Sequence, residues 1–345
     1  MLEKHIISTK EPFFFEEGGC LESLDIVYHC SPRPYRKGEK VIWICHALTA
    51  NSNPEEWWPD LVGPGKLFDP DKYYIVCVNM ICSPYGSSCP ASINPATGKP
   101  YLLDFPLTTV RDIVHSNIIV RKELGIENID IMLGPSIGGF QALEWAVIEA
   151  ERIKNAIFLA TAMRALPYLT AFNESQRMAL RADQTFTKAE SVSGGKAGLA
   201  CARSIALISY RNFDCYNQRQ YETEDDTLFA DRAASYQRHQ GDKLVARFDA
   251  YSYYYLTMAI DSQNIGRGRG GVDNALRSIK AKCMVISIDS DCLFPPEFGR
   301  EVCSVLKDGT HYEISSIYGH DGFLLENEQL SAIIGPVIAD LDKNL

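Results

Sequence analysis

No apolar run in this sequence approaches the roughly 20 residues needed to cross a bilayer, so no membrane-spanning helix is expected. The first fifteen residues, MLEKHIISTKEPFFF, hold neither an apolar core segment nor a small-residue cleavage site, so an export signal is not expected either. Basic runs are missing, and the formal net charge is −10. An acidic chain without a basic stripe is a poor partner for nucleic acid or an anionic membrane. No two of the eleven cysteines are spaced CxxC, and no Cys/His set has zinc-ligand spacing. With an odd count and several thiols inside apolar runs, such as Cys45 in VIWIC and Cys77 in YYIVCVNM, they read as buried free thiols of a reducing, cytoplasmic protein. Internal repeats and low-complexity segments are also absent. What remains is a chain of 345 residues, 46% hydrophobic and 23% charged. That length admits two domains, or one large domain with an insertion.

Short apolar runs alternate with amphipathic stretches along the first two-fifths. Val41–Cys45, Tyr73–Met80, Ile129–Leu133 and Ala156–Thr161 read as strands. Thr109–Leu124 carries a helical apolar stripe with Gly125 as its stop, and Ile137–Glu149 reads as a second helix. Near the end, Cys283–Ile288 and His311–Ile317 read as strands around a helix at Pro296–Leu306. Such alternation predicts a mostly parallel central sheet with helices on both faces. The runs EPFFF and SLDIVYHC precede any helix and are expected to form an antiparallel edge. Residues 166–275 break the pattern. Ala197–Ser209 and Ala250–Asp261 look helical and β-rich runs are scarce, which predicts a helical lid inserted between core segments 1–165 and 276–345.

The chemistry centres on Gly134-Pro135-Ser136-Ile137-Gly138-Gly139, between the strand IDIML and the helix FQALEWAVIE. A serine on a sharp strand-to-helix turn needs small neighbours, and the G-x-S-x-G glycines supply them. The turn aims Ser136 Oγ out of the sheet, where the amide of Ile137 faces a developing oxyanion. A nucleophilic serine also needs a base and a group that orients the base, and the α/β-hydrolase order is serine, acid, histidine. Asp289 and Asp291 close the run CMVISIDSD, and His320 lies in the Gly-flanked loop SIYGHDGF. His46 precedes the nucleophile and reads as a structural histidine bonding loop backbone. The loop after VIWIC offers a second oxyanion donor, assigned to the amide of Leu48.

Several segments carry a resemblance beyond the serine motif: CHALTA, WWPDLVGPGKLFDPDKYYIVCVN, SINPATGKPYLLDFPLTTVRDIV, GPSIGGFQALEWA, YQRHQGDKLVARFDAYSYYYLTMAID, SIDSDCLFPP and YGHDGFLLE. In order and over nearly the whole chain, the sequence resembles the homoserine O-acyltransferases of the α/β-hydrolase fold. The resemblance implies a homodimer with a helical lid and a deep active-site tunnel. It implies the triad Ser136, Asp291 and His320, favouring Asp291 over Asp289. It further implies that Arg203 binds the carboxylate of L-homoserine, with Tyr210 as companion, and that Asp321 meets its ammonium. Acetyl-CoA is then the co-substrate, and neither a metal nor another cofactor is expected. Succinyl-CoA as donor, serine as acceptor, a water-using esterase or thioesterase, and a non-catalytic relative are the competing expectations.

Two departures from the family's usual Gly-Gly-Ser-Met-Gly-Gly stand out. Pro135 precedes the serine and Ile137 follows it. Pro135 lacks an N–H and is expected to reshape the turn slightly. The GRGRGG run at 266–271 offers two arginines to CoA phosphates, but it has no strand-to-helix phosphate turn, so a linker between lid and sheet is preferred.

Overall fold

The computed structural model describes residues 1–343. Eight strands form the central sheet: β1 (Glu3–Ser8), β2 (Asp25–Cys30), β3 (Val41–Ile44), β4 (Tyr74–Val78), β5 (Ile129–Pro135), β6 (Ile153–Leu159), β7 (Lys282–Ile288) and β8 (Gly309–Ile314). Their spatial order is β1-β2-β4-β3-β5-β6-β7-β8. The first two strands pair antiparallel, β2 joins β4 antiparallel, and every later pairing is parallel.

Parallel strands buried on both faces are apolar throughout, because helices and loops cover each side. β3 shows this in four residues. Trp43 packs in one core with Trp145, Phe140 and Ile113, while Ile42 and Ile44 pack in the other with Trp58, Phe68 and Ile334. The first core is roofed by α1 (Val110–Glu123) and α2 (Ile137–Ile148). Thr109 caps α1: its hydroxyl accepts from the Asp112 amide while Asp112 accepts from the Thr109 amide, a reciprocal capping box.

Between β6 and β7 the chain leaves the sheet. It forms α3 (Pro167–Ala182), α4 (Lys196–Tyr210), α5 (Phe213–Gln220), α6 (Arg232–Val245) and α7 (Ala250–Asp261), then returns through α8 (Val272–Ser278). The lid packs on itself through α3 against α4 and α4 against α6. It also shares the first core, with Leu180, Leu199 and Tyr253 in the same cluster as Met132. Residue 275, the expected end of the insertion, falls inside α8, which packs on α2 and on α9 (Pro296–Val305). The C-terminal helix α10 (Asn327–Asp342) covers the second core.

One expectation needs correction. EPFFF is not part of the sheet edge. Phe13–Phe14 pairs with Cys20–Leu21 in a separate two-residue ribbon, and Phe13 and Phe15 bury their rings beside Phe105. The edge partner of SLDIVYHC is instead Glu3–Ser8. Most of that strand is exposed, so it carries no alternating apolar signal, and its charges suit a protected edge. The last strand also stops at Ile314, short of Ile317, which frees Ser315–Tyr318 to lead into the loop holding His320. All eleven cysteines are free, and seven are buried.

Candidate active site

Ser136, Asp291 and His320 all follow the C-terminal ends of parallel strands, where loops of an open α/β sheet converge. Ser136 sits between β5 and α2 with φ +57° and ψ −124°, a strained conformation for a residue with a side chain. Its neighbours explain how the turn closes. A Cβ on Gly134 would stand 2.2 Å from the Gly138 carbonyl oxygen, and one on Gly138 would stand 2.1 Å from that of Cys45. Two backbone passages therefore occupy the space that side chains would need. Pro135 is accommodated as the last residue of β5, and the Ser136 amide donates to Leu159 O at 3.0 Å, so the parallel ladder continues past it.

His320 lies in a tight turn after β8, next to Gly319 at φ +62°. His320 Nε2 is 2.9 Å from Ser136 Oγ, and Nδ1 is 2.7 Å from Asp291 Oδ2. The other oxygen of Asp291 accepts from the amides of Leu293 at 2.8 Å and Phe294 at 3.0 Å. The carboxylate is thus held from both sides and fixes the imidazole plane. Asp289 is turned elsewhere and accepts from the Ser316 amide at 3.0 Å. The rings of Phe294 and Phe323 lie 5.3 Å from that of His320. Trp58 Nε1 donates to Phe323 O at 2.8 Å and anchors the segment after His320. Burial disfavours the imidazolium, yet the charge and hydrogen bond of Asp291, helped by Asp321, outweigh it and raise the His320 pKa above its ordinary value.

A cavity of about 510 Å³ opens over Ser136 and His320. Leu48 lines it from the loop after β3. Among the described residues, neither the Leu48 nor the Ile137 amide has a hydrogen-bond acceptor. Both are therefore free to serve an anion, the Ile137 amide at the positive end of α2. His46 takes the other role expected of it. Its Nε2 accepts from the Met80 amide at 3.1 Å, its Nδ1 donates to Ala47 O at 2.9 Å, and complete burial pushes its pKa down to about 4. It is a neutral brace for the loop.

The lid supplies Arg203 and Tyr210 from α4. The Arg203 guanidinium lies 5.4 Å from the centre of the Tyr210 ring, and the Tyr210 ring lies 5.8 Å from that of His320. Arg203 forms no ion pair with a carboxylate among the described residues, so a charged donor faces the cavity uncompensated. Asp321 lines the same cavity but holds Arg211 at 3.2 Å. The cavity therefore presents opposite charges in a fixed arrangement.

Over 334 residues the chain is 45% identical to a homoserine O-acetyltransferase of Cyclobacterium marinum, covering 94% of both proteins. This chain belongs to the homoserine O-acetyltransferase family. Its residues 40–326 match the family model described as the alpha/beta hydrolase fold. A homoserine O-acetyltransferase structure from Bacillus anthracis superposes with a TM-score of 0.90 at 23% identity, covering 98% of each chain. Esterase E22 superposes with a TM-score of 0.88 at 23% identity, covering 98% of this chain and all of its own. The architecture is thus shared with a hydrolase, and within the fold the acceptor has to be argued from side chains.

Sequence reasoning missed several residues that line this cavity. Arg247, between α6 and α7, donates to Thr49 O at 2.5 Å and to Tyr85 Oη. It thereby ties the lid to the loop that carries Leu48. Glu56 and Trp57 line the cavity from the single helical turn Pro54–Trp57 after β3, and Arg211 lines it beside Tyr210. All of these are in loops, in that single turn or at a helix end, where no periodicity marks a side chain as inward-facing. The GRGRGG arginines are absent from the cavity wall. Arg267 pairs with Glu16 at 2.8 Å and Arg269 with Glu144 at 2.5 Å, with Arg111 joining both carboxylates.

Proposed function

We propose that this chain transfers the acetyl group of acetyl-CoA to the side-chain hydroxyl of L-homoserine by a two-step, ping-pong route through an acetylated Ser136. The observation that carries the reading is the hydrogen-bonded series Ser136–His320–Asp291, at 2.9 and 2.7 Å, beneath a cavity bearing an unpaired guanidinium and a carboxylate. His320 Nε2 takes the Ser136 proton as Oγ attacks the thioester carbonyl, and Asp291 holds Nδ1–H and stabilises the imidazolium. The amides of Leu48 and Ile137 receive the oxyanion, each contributing about 3 kcal/mol. The imidazolium returns its proton to the departing CoA thiolate.

In the second step Arg203 holds the homoserine carboxylate, its plane set by Tyr210, and Asp321 meets the ammonium beside Arg211. A planar guanidinium suits a carboxylate by its paired donors. His320 takes the proton of the homoserine hydroxyl, which attacks the acetyl carbonyl, and the imidazolium returns that proton to Ser136 Oγ as the acyl–serine bond breaks. O-acetyl-L-homoserine leaves as a precursor for methionine synthesis. The route calls for neither a metal nor a redox cofactor. Water competes for the acetyl-enzyme, and the lid favours transfer by restricting it and aligning the acceptor. A cytoplasmic homodimer completes the reading, in keeping with the free thiols and with Ile208, Phe213 and Phe229 exposed on the lid.

A matrix of acetyl-CoA and succinyl-CoA against L-homoserine and L-serine tests this, following free thiol and product mass. The acetyl/homoserine combination should exceed the other three by about tenfold or more. Thiol release at the same rate without any acceptor makes the protein a thioesterase instead.

A further inference from the structure

The acyl donor of this reading carries a 3′-phosphorylated ADP at the end remote from its thioester. The arginines of GRGRGG are neutralised on Glu16 and Glu144 and lie outside the cavity over Ser136. A second cavity, of about 330 Å³, adjoins the first, and Arg211 lines both. Its walls include Cys215, Tyr216 and Arg219 on α5, Tyr236 on α6, and Tyr318, two residues before His320. The guanidiniums of Arg211 and Arg219 each lie 5.7 Å from the centre of the Tyr318 ring. Arg219 donates to Tyr318 Oη at 2.6 Å and has no carboxylate partner among the described residues.

We infer that this groove binds the nucleotide half of the acyl-CoA, with phosphate oxygens on Arg219 and Arg211 and the adenine against the tyrosine faces. The inference rests on the acyl-CoA reading above. A guanidinium has five N–H donors in a rigid fork. One donor of Arg219 goes to the Tyr318 phenol, which fixes the exposed guanidinium at the hydroxyl end of that ring and leaves its remaining donors available to a planar or tetrahedral oxyanion. Arg211 already balances Asp321, which makes Arg219 the uncompensated charge of the groove. The acidic side chains Glu222, Glu224 and Asp225 line a separate cavity beyond Tyr216 and Gln220. Tyr216 and Tyr236 meet edge to face at 6.1 Å and leave ring surface for a base to stack on. Arg211 lines both cavities and Tyr318 stands two residues before His320, so a nucleotide seated in the groove lies beside the chamber that holds the thioester.

The experiment compares acetyl-CoA with acetyl-pantetheine, which keeps the thioester and lacks the nucleotide. Arg219→Ala should raise the KM for acetyl-CoA about tenfold, the loss of one charge-assisted phosphate contact. It should leave the acetyl-pantetheine kcat/KM and the homoserine KM within about twofold. Arg219→Lys should recover part of the loss, because it keeps the charge without the fork. Independently of turnover, calorimetry should show adenosine 3′,5′-bisphosphate binding the native protein and binding Arg219→Ala about tenfold more weakly. Inorganic phosphate is the control for anion attraction alone, and equal binding of both ligands overturns the groove as a nucleotide site. A loss shared by both donors, or by neither, overturns it as well. Continued acetyl transfer from acetyl-pantetheine to homoserine would then leave the acyltransferase reading standing, whereas no acetyl-homoserine from either donor with native protein sinks both.

Discussion

Asp291 and His320 are each 3% exposed and lie on loops rooted in neighbouring parallel strands, whereas Arg203 and Tyr210 sit half-buried on one lid helix whose other face reaches solvent at Ile208. The two sets meet in one cavity under different constraints. The sheet loops are locked by backbone passages at Gly134 and Gly138 and by two amides on Asp291. The lid set is held by ring contacts, by Arg247 reaching Thr49, and by the ion pair between Arg211 and Asp321. A hydrogen-bonded nucleophile, base and carboxylate tolerate little misplacement, and they sit on the most buried part of the fold. In the proposed reaction, acceptor recognition falls to Arg203 and Tyr210 on the less buried lid helix.

The comparison predicts that sheet-loop variants lose chemistry and lid variants lose selection. The largest effect is Ser136→Ala, which should lower kcat by about 10⁴-fold or more and abolish both CoA release and the mass gain of one acetyl group. A stable acetyl adduct on that variant removes Ser136 from the nucleophile's role.

Asp291→Asn comes next, with kcat down by about 10³–10⁴-fold. It also carries a pH signature. The base must be neutral, and Asp291 raises the His320 pKa, so kcat/KM of the native protein should fall as pH drops through a value above the ordinary imidazole range. Without the carboxylate that acid limb should move to lower pH. An unmoved limb in the pH–rate profile means that another group titrates.

Arg203→Ala should raise the homoserine KM by about 10–100-fold, the range for a lost charged hydrogen bond. The rate of the first half-reaction, read as the burst of free thiol, should change less than about threefold. Equal losses in the two half-reactions would place Arg203 with the chemistry and blur the division between lid and sheet.

The smallest effect is expected for Arg247→Ala, which crosses that division. Releasing Thr49 loosens the loop of Leu48, so both half-reactions should slow by about tenfold while the homoserine KM stays within about threefold. A change in KM alone would show that Arg247 reads substrate rather than positions the loop.

Much of the sheet was legible in the sequence because parallel strands covered on both faces are continuous apolar runs. Val41–Ile44 and Ile129–Leu133 are examples, and both are fully buried. The strand Glu3–Ser8 was not legible, because an exposed edge needs no such run. Ser136 announced itself through its glycines, since steric exclusion at a tight turn leaves a local mark. His320 followed from the order of elements. Asp289 and Asp291 could not be separated by pattern, because both follow the same strand, and only the folded loop turns Asp291 to His320 and Asp289 to the Ser316 amide. The partners of Arg211, Arg219 and Arg247 had no local signal at all.

From the order of its residues alone, this protein acquires a helix-covered parallel sheet, a serine on a strained bend and an inserted set of helices, all consequences of periodicity and of glycine's missing side chain. Which carboxylate reaches the imidazole, which arginines are already neutralised and which still face a cavity were decided only in three dimensions. Those outcomes depend on charges brought together from segments up to about 250 residues apart, such as Glu16 and Arg267, and no local pattern encodes a distance between them.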